Sequence, residues 1–199
     1  MTLYCATKNP GKVREFRMVA EHFGRAGEIR IEMLPGLDAI EPPEEIGATF
    51  EENAALKAIY YSRFTEELVF ADDSGLAVDA LGGAPGIYSA RYAGEDAGDS
   101  ANNALLLERM RGVAERSARF VCSIAVARRG SLVASFGGVV EGELLDAPRG
   151  DGGFGYDPLF YFREFGCTLA EVDASRKMEV SHRGKAAAAM IESLGSRKQ

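Results

Sequence analysis

The apolar positions of this 199-residue chain switch between a period of two and a period near 3.6. Thr2 to Thr7 reads as a buried first strand. Past the break at Lys8-Asn9-Pro10-Gly11, apolar residues at Val13, Phe16, Val19, Ala20 and Phe23 recur with helical spacing. Ile29, Ile31 and Met33 alternate with polar neighbours as in a half-buried strand, and the Pro-, Gly- and Glu-rich stretch from Pro35 to Gly47 reads as a loop carrying several carboxylates. Thr49 with Glu52 three residues on forms a capping box, so the Ala-rich run behind it predicts a helix to about Phe64, with Lys57 in its middle. Leu68 to Ala71 is a short apolar strand predicted to end at Asp72-Asp73-Ser74-Gly75, and acidic residues at a strand end are well placed for ligands.

In the second half, Gly82-Gly83-Ala84-Pro85-Gly86 predicts a rigid loop, and Asp99 is a candidate cap for a helix through about Met110. Phe120, Cys122, Ile124 and Val126 alternate toward an Arg129-Gly130 turn, and Leu132 to Val140 returns as the partner of a long hairpin. Arg149 to Pro158 is a Gly-rich loop followed by a short strand, Leu159 to Phe162. Ser181 is a candidate cap for a last helix ending near Leu194. The chain has no internal repeat and reads as one domain.

Composition narrows the function classes. Hydrophobic residues at 46% supply a substantial core. A formal net charge of -7 disfavours non-specific binding to nucleic acid or anionic membranes, so an anionic substrate needs a local cationic pocket. Cys5, Cys122 and Cys167 are odd in number and lie among apolar or small neighbours, which predicts buried reduced thiols rather than disulfides or a zinc site. The first residues carry no basic flank and no apolar run approaches the roughly 18 residues that cross a bilayer, so the expected location is the cytoplasm.

Several motifs carry candidate chemistry. Gly150-Asp151-Gly152-Gly153-Phe154-Gly155 matches the dinucleotide-binding glycine pattern, but a strand-like segment follows it where that motif needs a helix. No Walker sequence exists, yet Thr7, Asn9 and Lys12 supply hydroxyl, amide and ammonium groups where a helix begins, a place suited to phosphate. Alone, that loop reads more readily as a solvated turn. Asp73-Ser74-Gly75 resembles an aspartic-protease triplet, but one copy cannot form the dyad without a symmetric dimer. Adjacent aspartates point to opposite sides of a continuing strand, so one of Asp72 and Asp73 is the direct ligand and the other a support. Asp73 with Glu45 from the acidic loop could hold Mg²⁺ by hard oxygen ligands. Phe154-Gly155-Tyr156-Asp157-Pro158 offers an aromatic face and a carboxylate to a base, or alternatively a turn packing its aromatics into the core. Lys177, His182 and Arg183 add donors beside the start of the last helix.

Taken together, Ala6 to Lys12, Thr49 to Ala54, Ala71 to Leu76, Leu81 to Tyr92, Gly152 to Pro158 and Ser181 to Gly184 resemble the bacterial branch of the inosine/xanthosine triphosphate pyrophosphatase family, in the family's order and across almost the whole chain. The resemblance implies an α/β fold with a mixed, elongated, twisted sheet flanked by helices, two-lobed with the active-site cleft between the lobes. It implies a cytoplasmic homodimer that uses a divalent cation to hydrolyse ITP, dITP and XTP to the monophosphate and pyrophosphate. Asp73 then matches the proton acceptor and metal ligand, Glu45 the second metal-side carboxylate with Glu44 as the adjacent alternative, and Ser74 a substrate contact. Thr7, Lys8, Asn9, Pro10, Gly11 and Lys12 match the phosphate and sugar loop. Phe154, Gly155, Tyr156, Asp157, Lys177, His182 and Arg183 match nucleotide recognition. Phosphoanhydride hydrolysis needs charge neutralisation, for which Lys12 and Lys57 are candidates. Selectivity is expected at the six-position of the purine, with His182 or Arg183 donating to a keto oxygen that adenine lacks. A pyrophosphatase for modified pyrimidine or methylated guanine nucleotides, and a non-catalytic nucleotide-binding regulator, are the alternatives.

Overall fold

The computed structural model describes residues 1–23 and 29–196. Its centre is a seven-stranded open sheet in the order β2-β1-β3-β4-β5-β6-β7. β1 (Thr2–Cys5) lies parallel to both β2 (Arg30–Met33) and β3 (Leu68–Val78). β4 (Ser117–Arg128), β5 (Ser131–Leu144), β6 (Phe160–Phe162) and β7 (Cys167–Thr168) continue antiparallel. The α/β mixed sheet inferred from the family resemblance is therefore what forms.

Helices cover both faces. α1 (Pro10–Phe23) and α5 (His182–Ser196) pack together on one face, where Phe16 and Val19 meet Phe70, Cys122 and Ile124 from the sheet and Ala186, Ala187 and Met190 from α5. α2 (Phe50–Tyr61) lies on the other, its Ala54 and Ala58 against Ala71, Ala125 and Ala127. Small residues at that contact let the helix approach closely and bring Lys57 down onto the strand. α3 (Asp99–Arg109) and the far ends of β3, β4 and β5 enclose a second cluster that includes Leu76, Leu106, Phe120 and Phe160. The buried apolar side chains thus form two main clusters at the two ends of the sheet, and β3 runs through both.

The cap forms with a shifted return bond: Thr49 Oγ1 accepts from Glu52 N at 3.1 Å, and the Glu52 carboxylate accepts from Ala48 N, one residue before the cap, at 2.7 Å. The turn at Arg129 and Gly130 has positive φ at both residues (50° and 77°), the backbone hand that matches a tight hairpin's twist. Ser181 Oγ accepts from Gly184 N at 3.0 Å at the start of α5.

Several expectations give way. β3 does not end at the acidic pair but continues to Val78, because β4 pairs with it as far as Val78↔Ala118 and lysines offset the charge of both aspartates. Asp99 does not cap α3: Gly98 is the N-cap, and the Asp99 carboxylate instead accepts from Gly155 N at 2.7 Å. A short helix, α4 (Ala174–Val180), has no counterpart in the sequence pattern, since its buried side chains are Lys177 and Met178 and an inward lysine breaks the apolar period. Met33 is exposed at the end of edge strand β2, while Ile29 and Ile31 are buried. Cys5 and Cys122 are buried thiols, but Cys167, on the last strand, is only half-buried.

Candidate active site

The site forms where β1 stops and β3 does not. β1 pairs with β3 only from Leu68 to Phe70, and Ala6 N donates to Phe70 O at 2.9 Å as the last link. From there β3 runs on with β4 on one side only until Ala77 bridges Pro85. Period-two alternation then sends Asp72 and Ser74 to the α1/α5 face and Asp73 to the α2 face. The two carboxylates straddle an open sheet edge.

On the α1/α5 face, Lys12 Nζ lies 2.7 Å from Asp72 Oδ2. Ser74 Oγ donates to the same oxygen at 3.1 Å and accepts from Arg183 Nη2 at 3.0 Å. Arg183 also pairs with Glu15, which receives Lys177 Nζ at 3.1 Å, and Lys177 bonds Asp157 Oδ2 at 2.6 Å. Burial alone would raise the Asp72 pKa; Lys12 and Arg183 more than offset it and hold the carboxyl at about 2. Burial also dominates at Asp157, whose pKa stays raised although Lys177 opposes the shift. Lys12 is placed by the first turn of α1, where Asn9 Oδ1 accepts from Gly11 N at 2.8 Å and Lys12 N at 3.2 Å.

On the α2 face, Lys57 Nζ stands between two carboxylates, 2.9 Å from Asp73 Oδ1 and 3.0 Å from Glu45 Oε1. Burial would deprotonate Lys57, but Asp73, Asp72 and Glu45 outweigh it and raise its pKa. For Asp73 burial prevails over Lys57, and its pKa is raised. Asn53 ties the acidic loop to this point: its Oδ1 accepts from Gly47 N at 2.8 Å while its Nδ2 faces Asp73 Oδ2 at 3.4 Å. Arg91 sits 3.6 Å from the other oxygen of Glu45. Glu44 is exposed and makes no ion pair among the described residues, whereas Glu45 pairs with both Lys57 and Arg91.

A cavity of about 140 Å³ opens between the two hydrophobic clusters, lined by Asn9, Lys12, Ser74, Phe154, His182 and Arg183 among others. Phe154 forms part of its wall, with Lys177 Nζ and the Arg183 guanidinium each 5.1 Å from the ring centre. Its loop depends on Gly153, which has φ 71° and where a Cβ would fall 2.2 Å from Asp157 Oδ2, the acceptor of Phe154 N. His182 stacks on Phe120 at 4.7 Å, and its Nδ1 finds no partner among the described residues. Burial, followed by the charge of Arg183, pushes its pKa well below 6.5, so the ring is neutral near pH 7.

The other expected residues stand in different places relative to the cavity. Tyr156 borders the cavity, but it is buried and its hydroxyl donates to Ser89 O at 2.8 Å, so its ring packs in the core. Lys8 and Pro10 are exposed, and neither lines the cavity. Thr7 acts within the loop, accepting from Asn9 N at 3.2 Å. Asn53, Ser89 and Arg91 lie in matched stretches that assigned them no role, and Glu15 lies outside every motif, yet all four belong to the site's networks; only the spacing of Glu15, three residues past Lys12 on one helix, hints at a shared face.

The chain is similar to known proteins over nearly its whole length. A dITP/XTP pyrophosphatase from Acidobacterium capsulatum is 52% identical over 204 residues, covering 98% of this chain and 98% of the relative. One so named from Thermus thermophilus is 49% identical, covering 96% and 91%. The solved structure of the Staphylococcus aureus Ham1 protein superposes with a TM-score of 0.86 at 37% identity over the whole of both chains, and a HAM1 protein from Coxiella burnetii with 0.87 at 36%, covering 98% and 99%. The model of the Ham1 family matches residues 3–193, and the chain belongs to the Ham1 family.

Proposed function

We propose that this protein hydrolyses non-standard purine nucleoside triphosphates, ITP, dITP and XTP, to the monophosphate and pyrophosphate. The observation that carries the reading is the convergence of Asp73 and Glu45 on one cation, Lys57, at the open edge of β3 beside a cavity with an aromatic wall. The relatives named dITP/XTP pyrophosphatase support the substrate class.

The donor set suits Mg²⁺. Asp73 and Glu45 are hard oxygen ligands already directed at one positive charge. Among the described residues no group of three His, Cys, Asp or Glu could enclose a metal unaided. That fits an ion which takes one or two carboxylates and completes its shell with water and phosphate oxygens. When bound there, Mg²⁺ would neutralise charge on the triphosphate. Lys57 and Lys12 flank the edge from its two faces and offset the remaining negative charge. Asp73, with its raised pKa, is the proton acceptor for the attacking water.

The base occupies the cavity against Phe154. Arg183 Nη1 is engaged by Glu15 and Nη2 by Ser74, while Arg183 Nε and His182 Nδ1 are buried without a hydrogen-bond partner among the described residues, so both side chains keep hydrogen-bonding capacity in the wall. A fixed donor there favours the keto oxygen of hypoxanthine or xanthine over the amino group of adenine.

The test is turnover of ITP, dITP, XTP, GTP and ATP with Mg²⁺, measuring pyrophosphate as product. ITP, dITP and XTP lead if the reading is right. A profile led by ATP, or orthophosphate as the sole product, overturns it.

A further inference from the structure

One turn of α3 holds two walls of the cavity at once, through side chains that have no part in the proposed hydrolysis. Asn102 faces the end of the 3₁₀ turn Gly86–Arg91 and the residues just after it: its Oδ1 accepts from Ala93 N at 2.8 Å and its Nδ2 donates to Ala90 O at 3.1 Å. Asn103 faces the opposite wall, where its Nδ2 donates to Gly155 O at 2.9 Å. Asp99, one turn earlier, accepts from Gly155 N at 2.7 Å. Both polar groups at Gly155, the residue beside Phe154, are therefore held by α3, and Ala90 and Gly155 both line the cavity.

Gly155 has φ 64°, and a Cβ there would meet nothing within 4 Å. On that side of Gly155 no side chain touches the backbone, so hydrogen bonds hold its peptide there. Glycine backbones are the least restrained in a chain, and without those two bonds the Gly155 peptide would be free to turn between Phe154, whose N–H Asp157 holds, and the buried Tyr156. Asn103 Oδ1 is buried without a partner, a cost retained at a position where an apolar side chain would avoid it.

We infer that Asp99 and Asn103 are positioning residues for nucleotide binding: by fixing the Gly155 peptide relative to the segment held by Asn102, α3 sets the gap into which the base slides beside Phe154. The inference rests on the proposed nucleotide hydrolysis, with a purine as the base.

The test uses the full chain with Asn103→Leu, Asp99→Ala and Asp99→Asn, assayed with ITP and Mg²⁺ for pyrophosphate release, alongside thermal melting. Leu keeps the branched shape and heavy-atom count of Asn103 and removes its unpaired oxygen, and thermal melting checks that the fold is retained while the bond to Gly155 is lost. For Asn103→Leu and Asp99→Ala, KM rises about 5-fold, the effect of one lost hydrogen bond, and kcat falls by less. Asp99→Asn, which keeps an acceptor oxygen for Gly155 N, restores KM toward the wild-type value. An unmoved KM in both disruptive variants overturns the inference, as does a KM change that Asp99→Asn fails to rescue. Wild-type protein that turns over none of the nucleotides would instead remove the hydrolytic reading, and this inference with it.

Discussion

Asp72 and Asp73 are consecutive in β3, yet their carboxylates bind different lysines on opposite faces of the sheet, Lys12 at 2.7 Å and Lys57 at 2.9 Å. The alternation of a continuous strand divides two like residues between two tasks. Asp72 anchors the cations of the α1/α5 face, and Asp73, in the proposed hydrolysis, serves the metal and the water.

That division predicts different costs for the same substitution. Asp72 has a side chain only 1% exposed, so Asp72→Asn leaves Lys12 and part of Arg183 without their countercharge. Losing one partner of a buried pair costs roughly 3–5 kcal/mol, and the 19% exposure of Lys12 lowers the expectation for this pair to about 2–3 kcal/mol. Chemical denaturation at pH 7 measures it. A loss below about 0.5 kcal/mol would mean that Asp72 anchors nothing.

Gly75 lies on β3 beside the acidic pair. A Cβ there would stand 2.3 Å from Ser89 Oγ, which accepts from Leu76 N at the open edge, and 2.6 Å from Gly86 O, which accepts from Ser89 Oγ. Gly75→Ala is expected to cost about 1–3 kcal/mol by overpacking. It should weaken nucleotide binding as Ser89, and with it Tyr156, moves. Melting together with calorimetric titration of IMP checks both effects.

The lowered pKa of His182 makes a pH prediction. A ring kept neutral in the fold binds its proton more readily when unfolded, so its contribution to stability is full above the unfolded value near 6.5 and is lost as pH falls below it. His182→Phe keeps the stack on Phe120 but cannot titrate. The melting temperature of the wild type should fall more between pH 7.5 and about 5.5 than that of the variant. Asp73 and Asp157, with raised values, act in the opposite sense but are common to both proteins. Parallel pH profiles would contradict the assignment.

Much of the fold is legible in the sequence because it is local. The capping box at Thr49, the hairpin turn at Arg129-Gly130 and the helical periods of α1 and α5 each depend on residues a few positions apart. The continuation of β3 is not, because charges that read as a strand end are offset by Lys12, 60 residues away, and Lys57, 16 residues away. Nor is the cation network around Glu15, whose partners Lys177 and Arg183 lie 162 and 168 residues further on. The motifs mark which residues matter at the site; the open edge of β3, a property of where β1 happens to stop, determines how they face each other.

The most direct test compares Asp73→Asn with Asp72→Asn in turnover of ITP with saturating Mg²⁺. Asp73→Asn is expected to lower kcat by at least about 100-fold, the scale of losing a general base, while the protein still melts cooperatively and binds nucleotide. Asp72→Asn should lose mainly stability and affinity. Near-normal kcat in Asp73→Asn, or a larger loss of kcat in Asp72→Asn, would contradict the division of labour between the two aspartates.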